Sequence, residues 1–155
     1  MRGYYIPIAG GLLLVASVFL PWIKLGDETM LGFPSVPALW AGGLGVIAVV
    51  LAVLSLVTRK NSRHPLLVVG LLALGIMILS WRVLPRSVGD RAQSVSQANA
   101  IVEGGDVEAT PEALIGIGIY LGTIASAIIT LFGLTIVVRR VAVRPYAVAS
   151  KDDDV

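Results

Sequence analysis

The sequence predicts an all-α membrane protein, a four-transmembrane-helix antiparallel bundle with a short surface helix in one outer loop. Three observations carry that reading. The 155 residues are 56% hydrophobic and only 14% charged, where soluble domains carry about a quarter charged residues. Four apolar runs, about 4–24, 37–57, 65–84 and 113–138, hold no charged side chain in their middles. The charges outside them segregate by loop. All of this reads as one membrane domain covering 1–155.

The segregation sets the expected topology. The termini and the middle loop hold Arg2, Arg59, Lys60, Arg63, Arg139, Arg140, Arg144 and Lys151 against Asp152, Asp153 and Asp154. The other two loops and their borders hold Lys24, Arg82, Arg86 and Arg91 against Asp27, Glu28, Asp90, Glu103, Asp106, Glu108 and Glu112. Basic residues concentrate on the cytoplasmic side of membrane proteins. Both termini, the inner loop 58–64 and the tail 139–155 are therefore expected in the cytoplasm of a bacterium, with the chain in its inner membrane. The net charge of +2 follows from this topology, and no nucleic-acid partner is needed to explain it.

The fourth run is the clearest. It follows Thr110-Pro111-Glu112, a capping residue, a helix-initiating proline and a first-turn acid, and it stops at Arg139-Arg140, where the helix dipole favours cations. Gly118, Gly122, Ser126 and Thr130 recur at every fourth position, a stripe of small side chains along which another helix can approach. Its use within the bundle and its use to seat a second protein both stay open at this point.

The first run begins at Tyr4. A secretory signal peptide is the competing reading, disfavoured because the apolar run continues through Phe19-Leu20-Pro21-Trp22-Ile23 without a small-x-small site at its end. The outer loop 25–36 is turn-rich, and a short hairpin is only faintly signalled there. The second run has small pairs four apart at Ala38/Gly42 and Ala41/Gly45, suited to close packing. The short loop 58–64 makes the second and third runs an antiparallel hairpin. In the outer loop 85–112, Val88, Ala92, Val95, Asn99 and Val102 keep a helical spacing, read as a short surface helix ending before Gly104-Gly105.

Trp22, Trp40 and Trp81 all fall at the expected outer boundary and Tyr4 and Tyr5 at the inner one, the belt that amphipathic rings form at membrane surfaces. Lys24 and Arg82 are the basic groups adjoining the spans on the outer side. They are expected to snorkel, with anionic lipid headgroups or the outer acids as partners.

No catalytic, cofactor-binding or metal-binding set is legible. The absence of cysteine removes disulfides, iron–sulfur clusters, thiolate zinc and thiol redox chemistry. His64 is the only histidine, so a bis-histidine haem within one chain and a multi-histidine metal site are excluded; it reads as a solvated loop residue. No ionisable group lies at mid-span, the usual place for one in ion-coupled carriers. The glycines of Gly116-Ile117-Gly118 follow no strand and make no nucleotide loop.

Phe19-Leu20-Pro21-Trp22 closing the first run, and Gly32-Phe33-Pro34 with Leu39-Trp40-Ala41-Gly42-Gly43 opening the second, resemble small bacterial four-span membrane proteins of uncharacterised function, many of them actinobacterial. The resemblance covers the first third of the chain and the overall topology. A more distant likeness is to claudin-type tetraspan proteins, whose paired loop cysteines this chain lacks. Redox enzymes of the vitamin K epoxide reductase type need cysteine pairs, and small multidrug carriers use an acid inside the first span; neither is present. The expected function is a non-catalytic accessory or assembly subunit that packs beside larger membrane proteins and lipids. The alternative is a small-molecule or lipid carrier or pore formed by self-association, lined by Ser17, Ser55, Ser80, Thr123, Ser126, Thr130 and Thr135.

Overall fold

The computed structural model describes residues 5–58, 63–104 and 111–142. Four helices dominate it: α1 (Tyr5–Val18), α2 (Val36–Thr58), α3 (Arg63–Glu103) and α4 (Ile117–Ala142). Three short strands, β1 (Pro21–Leu25), β2 (Glu28–Leu31) and β3 (Ala113–Ile115), form one antiparallel sheet in the order β2-β1-β3. The helices contact one another in a closed ring, α1 with α2, α2 with α3, α3 with α4, and α4 with α1. The sheet sits at one end of that ring.

Among the described residues, three helices are long and apolar enough to cross a membrane: Val36–Thr58, His64–Glu103 and, within α4, Ile117–Thr135. Membrane association follows from their length and composition. α1 is shorter, at 14 residues, or about 21 Å of helix. The expected first span thus loses its outer quarter, and the reason is local. Phe19 and Leu20 donate to Ala16 and Ser17 carbonyls three residues back, at 3.1 and 3.3 Å, which tightens the last turn. Pro21 then has no N–H to continue the helix and pushes Leu20 out of helical geometry.

From Pro21 the chain becomes a strand. Proline is tolerated there because it opens the strand, next to an irregularity in register between Pro21 and Ile23. Leu25 pairs with Glu28 across Gly26-Asp27, and Gly26 takes a φ of +59° that the tight turn requires. β3 closes the other edge, with Ile23, Lys24 and Leu25 opposite Ile115, Leu114 and Ala113. The first three residues of the expected fourth span are therefore strand, its helix starts at Ile117, and it runs through Arg139-Arg140 to Ala142 rather than stopping there. Gly116-Ile117-Gly118 thus does follow a strand, against expectation, but Gly116 and Gly118 are packed on Pro21 and Trp22.

α2 begins behind Ser35, whose carbonyl accepts from Leu39 N at 3.0 Å, with Pro37 in the first turn where no donor is lost. α3 departs most from expectation. The third span and the surface helix are one uninterrupted helix of 41 residues with Pro85 inside it, about 60 Å long against a hydrocarbon core of about 30 Å. Pro85 removes one backbone bond without ending the helix. The middle connection holds helix up to Thr58 and again from Arg63, and His64 lies exposed in the first turn of α3. Of the cytoplasmic assignments, 59–62 and everything beyond Ala142 lie outside the described residues.

Candidate functional site

The small-residue positions face inward. Gly118, Gly122, Ser126 and Thr130 are all buried, and each meets part of the same bundle. A Cβ on Gly118 would stand 2.5 Å from Trp22 Cδ1 and 2.8 Å from the Ser17 carbonyl. One on Gly122 would collide with the Met77 methyl and stand 2.9 Å from Ser17 Oγ. Opposite Thr130, a Cβ on Gly70 would lie 2.7 Å from the Thr130 amide, so α3 and α4 touch almost backbone to backbone. On α2, Ala38, Ala41 and Gly45 are buried and Gly42 half-buried, with Gly42 against Val18 and Gly45 against Gly11 and Val15 of α1.

The hydroxyls are turned onto their own helices. Ser17 donates to Leu14 O at 2.7 Å, Thr123 to Ile119 O at 2.7 Å, Ser126 to Thr123 O at 2.9 Å and Thr130 to Ser126 O at 2.8 Å. Such bonds satisfy a hydroxyl without a partner from another helix or from water.

Trp22 departs from the expected interfacial ring. It is only 1% exposed, and its Nε1 donates to the Ser17 carbonyl at 2.8 Å. Glycines make room for it: a Cβ on Gly32 would stand 2.5 Å from Nε1. Gly116 N donates to the Trp22 carbonyl at 2.7 Å, which ties β1 to the start of α4. The ring thus plugs the sheet end of the helix ring, beneath β1. Trp40 is 65% exposed. Trp81 packs edge-on against Tyr120 with centroids 4.9 Å apart. Lys24 and Arg82 are both exposed.

Two concavities stand out among the described residues. One is a groove of ≈ 280 Å³ on the outward face of α2, lined by Val36, Leu39, Trp40, Gly43, Leu44 and Ile47. Gly43 forms part of its floor, with nothing within 4 Å of where a Cβ would be. The other is a cleft of ≈ 750 Å³ at the sheet end, between the β1–β2 hairpin and the far half of α3. The hairpin contributes Leu25, Glu28 and Met30. α3 contributes Val88, Ala92 and Val95 with Arg91, Asn99 and Glu103 among its polar neighbours. Sequence reading missed this cleft, because it needs both the hairpin and an α3 that does not stop at Pro85. The regular spacing from Val88 to Val102 was the signal that one side of it existed. Among the described residues no group of three His, Cys, Asp or Glu side chains is placed to hold a metal ion. No protein-family model matches the chain, and no curated protein matches it.

Proposed function

We propose that the protein is a non-catalytic, integral-membrane accessory or assembly subunit that packs beside a larger membrane protein, with lipid filling part of the contact. The groove on α2 carries this reading. It is lined by apolar side chains and floored in part by Gly43, which has nothing within 4 Å of where a Cβ would be, the arrangement that lets a second backbone approach within a bilayer. Trp40 at its rim offers an indole N–H at headgroup level. Lys24 and Arg82, exposed near the sheet end, supply cations for anionic headgroups or for a partner's acids.

In this reading α1, extended by β1, completes a fourth crossing. The basic segments at both termini and around Arg59 to Arg63 lie in the cytoplasm of a bacterium, by the positive-inside bias. The sheet and the far half of α3 lie outside. Purification in a gentle detergent followed by native mass analysis tests it. The expected result is a co-purifying membrane protein or retained lipid that Gly43→Trp displaces. Recovery as a bare chain, unchanged by Gly43→Trp, overturns it.

A further inference from the structure

In the far half of α3, Pro85, Val88, Ala92, Val95 and Asn99 follow one another at alternating steps of three and four residues, which places them in one row along the helix. The row faces the small sheet. Leu25 pairs with Glu28 and Ile23 with Met30, so Leu25, Glu28 and Met30 share one face of the hairpin. Contact is close only at the base, where Leu84 and Val88 pack against the core together with Ala113 and Ile115 of β3. Farther along, Ala92 is half-buried and Val95 is 59% exposed. Helix and hairpin diverge, and the cleft of ≈ 750 Å³ is the space between them.

Pro85 accounts for the divergence. It lies in the row itself, leaves the Trp81 carbonyl without its helical donor, and crowds that carbonyl with its ring. A helix so crowded bends away from the side that carries the proline. Ser87 donates to the Leu84 carbonyl at 3.0 Å, a back-bond of the kind that bends helices. The walls held apart in this way match each other. Leu25 and Met30 stand on one side, Ala92 and Val95 on the other, with Glu28 on the hairpin and Arg91 on the helix. Among the described residues neither Glu28 nor Arg91 is in an ion pair.

We infer that the far half of α3 is an arm hinged at Pro85, which swings between this splayed position and one closed on the β1–β2 hairpin. Closure takes the apolar surface of Met30, Leu25, Val95 and Ala92 out of water and pairs Arg91 with Glu28. The proline ring opposes it. A change of about 20° at Pro85 carries Val95, about 15 Å farther along the axis, through about 5 Å. The apolar face of the hairpin is thereby covered or uncovered at the sheet end of the molecule.

The absence of cysteine permits a direct test on the full chain in native membranes. Met30→Cys with Val95→Cys places one thiol on each wall, and Met30→Cys with Gln97→Cys moves the second to the opposite side of α3. Mild oxidation is expected to form an intrachain disulfide in the first pair about tenfold faster than in the second, since the bond needs Cα atoms within about 7 Å. Pro85→Ala is expected to speed the first pair severalfold. Glu28→Arg is expected to slow it severalfold, and Arg91→Glu added to that chain to restore the rate. Spin labels at Thr29→Cys and Gln97→Cys, both exposed and off the cleft, leave the walls unaltered. Diluted into unlabelled chains, they are expected to report two distances about 5 Å apart. Equal rates for the two pairs, a rate unmoved by Pro85→Ala, a Glu28→Arg defect that Arg91→Glu leaves uncorrected, or a single spin-label distance each overturns the inference.

Discussion

Gly11 and Gly45 face each other where α1 crosses α2: a Cβ on Gly11 would stand 2.8 Å from the Gly45 carbonyl, and one on Gly45 2.9 Å from the Gly11 carbonyl. Neither obstacle is a flexible side chain, so relief requires the helices to separate. Gly45→Ile is expected to destabilise the folded chain by about 1–3 kcal/mol or more, read as a lowered denaturation midpoint in detergent. Gly75→Ala is the control. Nothing lies within 4 Å of a Cβ there, and exchanging glycine for alanine inside a helix gains up to about 1 kcal/mol.

Trp22 is distinguishable from the other tryptophans by light. A chain carrying Trp40→Phe and Trp81→Phe is expected to emit at short wavelength and to resist acrylamide and brominated lipid, because the remaining indole is 1% exposed. A chain keeping only Trp40, 65% exposed, is expected to be quenched by brominated lipid. Trp22→Ala is expected to cost about 3–5 kcal/mol, through lost burial and the cavity left behind. Equal quenching of the two single-tryptophan chains contradicts the burial of Trp22.

The edge-on contact of Trp81 with Tyr120 joins α3 to α4 near the sheet end. A double-mutant cycle with Trp81→Leu and Tyr120→Leu is expected to give a coupling of about 0.5–1.5 kcal/mol. Additive single effects contradict the contact.

The continuity of α3 has its own readout. Spin labels at Arg82→Cys and Gln97→Cys, diluted into unlabelled chains, are expected to report a narrow distribution set by about 22 Å of axial rise plus the label arms. A break at Pro85 with the following helix lying on the membrane surface is expected to give a broad or shorter distribution instead.

Much of the architecture was written locally. The apolar runs of α2 and α4 sit where hydropathy puts them, and Pro37 lies in the first turn of α2; Pro111, read as opening the fourth helix, instead precedes β3. The small residues of α4 were legible as a packing face, but periodicity alone does not say which side of a helix meets its neighbours; Met77, Ser17 and Trp22 supply that answer from three other segments. β1 was hidden for a similar reason. Phe19 to Ile23 is as apolar as the helix before it, and what makes Pro21 onwards strand is pairing with Glu28–Leu31 and, through Ile23, with Ile115, some ninety positions away in the chain. The expected third span was ended at Leu84, before Pro85, but α3 is helical on both sides of that proline, which removes only one backbone bond. Tryptophan was read too uniformly. The belt is a population tendency, and the socket that Gly32 and Gly118 leave for Trp22 overrides it.

The brevity of α1 affects the lipid around it. Ile6 and Leu12 on its outward side are 52% and 57% exposed, so in the four-crossing arrangement proposed above acyl chains meet this helix directly, yet its 14 residues supply about 21 Å of helical rise. β1 completes that crossing with Trp22 and Ile23 buried and Lys24 exposed, so it adds little lipid-facing apolar length, and the neighbouring lipid is expected to thin along this flank. Bilayers of shorter acyl chains are therefore expected to stabilise the protein, and in a membrane of uneven thickness it is expected to sort into the thin regions.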